Sequence, residues 1–256
     1  MTAGADYLQK CHELVAAIAA QQDKISLAAE RFAETILAGR MVHLFGSGHS
    51  RIMVEEMWPR YGSFPGFNPI VELSLSFHHP VVGANGQRQA MFLENVQGLA
   101  ERILRNFNIS PLDSALVISS SGCNVVSVEM AEGFRRRSVK VAAIISKQHS
   151  EASPSRDARG YKLQDFADIV LDTGAPAGDA MVTIPGLKTP VAPGSTVGGC
   201  ILINAIKTEV AARLTQAGAP PIVLAGPVTM GIEESAEIFE AAYDEHARRL
   251  ARLYKH

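Results

Sequence analysis

Runs of a single charge, long apolar runs and paired cysteines are scarce in this chain, and each scarcity removes a class of function. The 24 basic and 26 acidic residues balance to a formal charge of -2. The triplet Arg135-Arg136-Arg137 reads as a solvated helix end favoured by the helix dipole. A dedicated nucleic-acid surface is therefore not expected. No stretch of about 18 apolar residues occurs, and Met1 to Gln9 lacks the basic-then-apolar order of a secretory leader. Neither a membrane span nor a signal segment is expected. Cys11, Cys123 and Cys200 are too widely spaced for a zinc or disulfide framework, which fits a reducing, cytoplasmic setting.

What is present is enough apolar material for a large core: 47% of the 256 residues are hydrophobic,. We expect one domain over 1–256, with helices over 1–38, an α/β core over 41–214 and a closing helix over 233–254. Apolar residues at helical spacing predict two helices between Tyr7 and Leu37, stopped at Gly39. Met41–Phe45 reads as a buried strand, then a helix to about Trp58, limited by Pro59. A second strand is expected over Pro69–Leu75, a loop over His78–Arg88 and a helix over Met91–Phe107.

Further strands are expected at Ala115–Ile118, Val139–Ile145 and Ala167–Leu171, with a helix over Asn124–Arg137. This alternation of strands and helices indicates βαβ units around a parallel sheet. The proline- and glycine-rich segment Gly174–Gly194 is long for an ordinary connection and is expected to be a lid or an interface loop. Cys200–Leu214 predicts a helix buried on nearly every side, in which Asn204 needs a polar partner and Glu209 pairs with Arg213. Pro220–Leu224 is expected as an edge strand and Glu233–Tyr254 as an amphipathic helix.

Two turns carry the chemistry. Phe45-Gly46-Ser47-Gly48-His49-Ser50 and Ser119-Ser120-Ser121-Gly122-Cys123-Asn124 each follow an apolar run and open a helix. Glycine admits a close backbone approach, and the unpaired N–H groups at a helix start attract anions, while serine hydroxyls add neutral donors. Neither turn is a G-x-G-x-x-G or G-x-x-x-x-G-K-[ST] fingerprint, which disfavours a dinucleotide or a nucleoside triphosphate. Two such turns in one chain point to a phosphorylated substrate.

These motifs resemble the SIS family of phosphosugar isomerases and phosphosugar-binding domains, over roughly Met41–Leu214. Ser119-x-Ser121-Gly122-x-Asn124 matches the family's Ser-x-Ser-Gly-x-Ser/Thr/Asn, and the earlier turn is similar to its first phosphate-side turn. Gly194-Ser195-Thr196 is similar to the G-S-T turn of the etherases in that family, which act on N-acetylmuramate 6-phosphate. Glu56-Met57-Trp58-Pro59-Arg60-Tyr61-Gly62 is similar both to their E-x-P-P-x-F-G region and to the E-E-L-x-x-R-Y run of phosphoheptose isomerases. The resemblance implies a three-layer α/β sandwich around a parallel five-stranded sheet, flavodoxin-like and doubly wound, with helical extensions at both ends.

It also implies a site. Gly46, Ser47, Gly48, His49 and Ser50, with Ser119, Ser120, Ser121, Gly122 and Asn124, would surround a phosphosugar, and Ser195 and Thr196 would lie at its other end. Glu56 is the expected base. His78 and His79 occupy a loop where the arabinose 5-phosphate type of SIS isomerase carries a functional histidine. No zinc is assigned, because Ile52 stands four residues before Glu56 where phosphoheptose isomerases have histidine. No cofactor is expected. The implied function is an aldose–ketose isomerase working through an enediol, with an etherase-like lyase or a non-catalytic sensing module as alternatives. Family sites assembled between subunits imply a homodimer or homotetramer.

Overall fold

The computed structural model describes residues 2–76 and 83–254. Helix α1 (Ala3–Ala19) starts at Thr2, whose hydroxyl accepts the Ala5 N–H at 3.2 Å. Helix α2 (Gln22–Leu37) ends at Gly39, which takes φ 70° so that its N–H and that of Arg40 turn back onto the carbonyls of Ile36 and Thr35,. Strand β1 (Val42–Gly46) leads into the first turn and the short helix α3 (Arg51–Met57).

Strand β2 is Phe67–Ile70, and it stops there because Glu72 opens a helical turn, α4 (Leu73–Ser76), accepting the Leu75 N–H on Oε2 at 2.9 Å. The strand expected over Pro69–Leu75 thus starts two residues earlier, at Phe67, and shares only Pro69 and Ile70 with the expected span. Helix α5 (Gly86–Leu93) and helix α6 (Leu99–Leu104) replace the single helix expected over Met91–Phe107, separated by Gly98 at φ 81°. Strand β3 (Ser114–Ile118), helix α7 (Val125–Arg136) and strand β4 (Lys140–Ile145) follow as expected.

After α8 (Lys147–Ala152) and β5 (Ile169–Asp172), the proline- and glycine-rich segment folds into an antiparallel hairpin of β6 (Ala180–Val182) and β7 (Val191–Pro193). Helix α9 (Ser195–Gln216) then crosses the molecule. Pro220–Leu224 forms no strand: only Leu224 pairs, exchanging backbone bonds with Gly62 and Ser63 at 2.8 Å. Two successive prolines lack the N–H groups a ladder needs. Short α10 (Pro227–Met230) and amphipathic α11 (Ile232–Leu250) close the described chain.

The five main strands form one all-parallel sheet in the order β2-β1-β3-β4-β5. Alternate side chains divide between its two covered faces, as strand geometry requires. Leu116, Ile118, Ala142 and Ile144 pack toward α2, α3 and α9, against Phe32, Val54, Leu202 and Ile206. Ala115, Val117, Val141 and Ala143 pack toward α6 and α7, against Leu104, Met130 and Phe134. The result is the α/β three-layer arrangement, with helices added at both ends.

A buried polar knot ties the amino ends of the central strands. His43 and Asp113 side chains are fully buried, and Asp113 accepts from His43 Nε2 at 3.2 Å, Arg40 Nε at 2.7 Å and the Ser110 N–H at 2.7 Å. Asn68 Nδ2 donates to His43 Nδ1 at 3.0 Å, which places the His43 proton on Nε2, facing Asp113,. Burial opposes ionisation of Asp113, but the bonds from His43, Arg40 and Ser110 outweigh it and hold the carboxyl below its ordinary range,.

Candidate active site

The strand order reverses between β1 and β3, and in an open α/β sheet ligands bind outside the carboxyl ends of the strands at that switch point,. Both glycine- and serine-rich turns emerge there, one from each strand. Gly48 and Gly122 bend them at φ 55° and 64°, backbone that a side chain resists,. Between the turns lies a cleft of about 470 Å³. Ser47, Gly48, His49 and Ser50 line it from the first turn, Ser119, Ser120, Ser121 and Asn124 from the second, and Ser195 and Thr196 from α9. Gly46 and Gly122 belong to the turns without lining the cleft.

The hydrogen bonds show which donors remain for a ligand. Ser119 Oγ accepts the Gly122 N–H and Ser121 Oγ accepts the Cys123 N–H, both at 3.2 Å, so each hydroxyl keeps its own hydrogen to give,. Ser120 Oγ is buried with no partner among the described residues. Asn124 precedes α7 without a side-chain capping bond, and of the first N–H groups of that twelve-residue helix the Val126 one donates to the Glu94 carbonyl at 2.9 Å,. The start of α9 is different. Asp179 accepts the N–H groups of Gly194 and Ser195 at 3.1 and 2.7 Å and the Ser195 hydroxyl at 2.8 Å, so a carboxylate already occupies that helix end.

Glu94, just past α5, joins the two turns. It accepts from Ser47 Oγ at 2.7 Å and from Asn124 Nδ2 at 2.5 Å, and it lines the cleft. Burial pushes its carboxyl above the ordinary range, against the opposing pull of the Ser47 bond and the charge of Arg156,. On the opposite wall, His149 Nδ1 accepts the Gly178 N–H at 2.9 Å, so the neutral ring carries its proton on Nε2,.

The SIS domain model matches residues 6–146, more than half of the chain. The chain belongs to the SIS domain family. It is 33% identical over 251 residues to UPF0309 protein GK1441 of Geobacillus kaustophilus, a match spanning 97% of this chain and 93% of that one. Its SIS fold is similar to phosphoheptose isomerase GmhA from Neisseria gonorrhoeae, with a TM-score of 0.52 at 13% identity over 81% of this chain and 96% of that one. It is likewise similar to a phosphoheptose isomerase from Francisella tularensis, with a TM-score of 0.50 at 15% identity over 82% and 98% of the two chains.

The remaining expected site residues of this SIS protein fall elsewhere. Glu56 ends α3 facing α9, where Asn204 Nδ2 donates to it at 2.8 Å and Arg60 pairs with it, and it does not line the cleft. Burial works against its charge, but the bonds from Asn204 and Arg60 hold its carboxyl below the ordinary range. The buried Lys207 ammonium binds the Glu56 carbonyl and Ser63 Oγ, clamping the same corner. Asn204 finds its polar partner in Glu56, but on an exposed stripe of α9 with Thr208 rather than in the buried setting expected of it, and Glu209 pairs with Arg213. His78 and His79 lie outside the described residues.

Among the described residues, no group of three or more His, Cys, Asp or Glu side chains is arranged to hold a metal ion. Nor is any helix among them long and apolar enough to cross a membrane. Three ionisable cleft residues escaped the sequence reading, Glu94, His149 and Asp179, along with lining residues such as Met53, Gln87 and Met91. Gly98, with Asn95 and Gln97 before it, was the available signal that a helix ends near Glu94.

Proposed function

We propose that this SIS protein binds a phosphorylated sugar, with its phosphate at the amino end of α7, and isomerises it between aldose and ketose through an enediol. The observation that carries this reading is the second turn, where Ser119 and Ser121 keep hydroxyl hydrogens free beside a helix start to which Asn124 gives no side-chain cap. Hydrogen bonds from several neutral donors and the helix dipole suit a phosphate dianion. The phosphate supplies binding energy remote from the reacting carbons, which positions them for proton transfer.

Glu94 takes the role of base in this reading. It is a half-buried carboxylate of the cleft, poised between both turns, whereas Glu56 is committed to Asn204 on α9 and to Arg60. Its raised pKa makes it a stronger base than an ordinary carboxylate,. The Nε2 proton of His149 is the complementary donor, given to the carbonyl oxygen as the enediol forms. Asp179 and Ser195 face the end of the sugar away from the phosphate, where the carboxylate accepts hydroxyl hydrogens.

Thermal-shift and calorimetric screening of sugar 5-, 6- and 7-phosphates against their unphosphorylated parents tests the binding half of this reading. Stabilisation by one or more phosphosugars, absent for the parent sugars, is the expected result. Equal response to both, or none to either, contradicts it.

A further inference from the structure

Among the described residues, those that line the cleft include two carboxylates, Glu94 and Asp179, and neither a lysine nor an arginine. A phosphate dianion entering this setting adds negative charge to negative charge, which the helix dipole and hydroxyl donors offset only in part. A cation stands immediately behind the second turn. Arg156 Nη1 donates to Asn124 Oδ1 at 2.8 Å, and Asn124 in turn donates to Glu94. The backbone fixes Arg156 there, because its N–H donates to the Cys123 carbonyl at 3.1 Å.

The surrounding charges are committed elsewhere. Asp157 and Glu132 both pair with Arg159, at 2.7 and 2.9 Å, and Arg156 enters no ion pair among the described residues. Lys162 is turned onto the Ser150 carbonyl. His49 from the first turn, His149 from α8 and Asp179 before β6 complete the titratable groups of the cleft, with Glu94 from the end of α5. Burial raises both the Glu94 carboxyl and the Cys123 thiol, and the charge of Arg156 pulls each back down, so its field already reaches the turn.

We propose that Arg156 is a ligand-binding residue: its guanidinium neutralises the phosphate of a phosphosugar seated at the start of α7 and so admits that dianion beside the Glu94 carboxylate. This rests on the phosphosugar reading above. A planar guanidinium supplies two parallel N–H groups to a phosphate, and one bond to a neutral amide oxygen is readily exchanged for that pairing. Without Arg156, the phosphate and Glu94 repel one another, and binding then favours the protonated acid.

Calorimetric titration of inorganic phosphate into wild type, Arg156→Gln and Arg156→Lys, at about pH 6 and pH 8, tests this. Phosphate becomes the dianion over the same range, so the titrations are repeated in a Glu94→Gln background, and the pH dependence of the variant-to-wild-type Kd ratio that disappears there is the part due to Glu94. Arg156→Gln is expected to weaken binding at least tenfold at the higher pH and less at the lower, with Arg156→Lys recovering most of the loss. A ratio within threefold at both values overturns the proposal alone, since wild type still binds. A loss independent of pH overturns the coupling to Glu94. Failure of wild type to bind phosphate at either pH overturns the proposal together with the phosphosugar reading.

Discussion

The Ser47 hydroxyl donates to the Glu94 carboxylate at 2.7 Å, so that one half-buried acid holds the turn after β1 against the end of α5. Glu94→Gln keeps the shape of this bridge and removes its basicity. It is expected to lower kcat about 100-fold or more, while phosphosugar Kd stays within about threefold. Rapid-quench or coupled kinetics with the cognate sugar phosphate, beside calorimetry, separates the two quantities.

The pH dependence follows from the raised pKa of Glu94. A base acts when deprotonated, so kcat/KM is expected to fall on the acid side through a pKa above the ordinary glutamate value of about 4.3. The same shift costs stability. The folded chain keeps the Glu94 proton to a higher pH than the unfolded chain, so this residue's contribution declines as pH rises between those two pKa values. An acid limb identical in wild type and in a slowly active Glu94→Asp variant argues against this assignment.

The serines divide by the fate of their hydrogens. Ser119→Ala and Ser121→Ala each remove a free donor, and each is expected to weaken phosphosugar binding about tenfold, the worth of one hydrogen bond to a charged group. Ser195 already gives its hydrogen to Asp179 at 2.8 Å, so Ser195→Ala is expected to leave phosphate binding within about threefold. Titrations of the three variants with one phosphosugar check the contrast.

Asp113→Asn breaks the knot with Arg40 and His43 and is expected to cost about 3 kcal/mol, as removal of one buried charged partner typically does. Urea unfolding at neutral pH measures it. In wild type, the depressed folded pKa of Asp113 contributes stability present above the unfolded pKa of about 3.9 and lost as pH falls through the folded value,. The variant is therefore expected to show a smaller loss of stability across that acid window.

Gly198 sits in α9 where an added Cβ would stand 2.3 Å from the Thr173 carbonyl oxygen. That atom belongs to the backbone following β5 and cannot swing aside. Gly198→Ala is expected to destabilise by about 2–3 kcal/mol, with α9 displaced at the cleft. A urea midpoint unchanged from wild type contradicts the close approach.

The parallel sheet and both turns were legible because their signals are local. Ala115–Ile118 and Val139–Ile145 are short apolar runs next to glycine and serine, and the observed strands β3 and β4 lie within a residue of them. Glu94 was illegible for the opposite reason. The apolar spacing of Met91–Phe107 carries across Gly98, and only tertiary packing places the end of α5 between two turns far apart in sequence. Asp179 caps α9 from the hairpin before it, a contact with no sequence periodicity. Glu56 stood out through its motif, but the seven-residue α3 presents it to Asn204 rather than to the cleft.

The most direct measurement of the central claim is proton NMR in deuterated water, with the protein and a panel of sugar 5-, 6- and 7-phosphates, amino sugars included. A base working through an enediol exchanges the hydrogen beside the carbonyl. Deuterium uptake at that carbon, with ketose and aldose forms interconverting, is the expected result, and its loss in Glu94→Gln with binding retained assigns the base. Ligand shifts with neither exchange nor turnover for any sugar phosphate would contradict the enzyme reading and leave a phosphosugar-sensing module in its place.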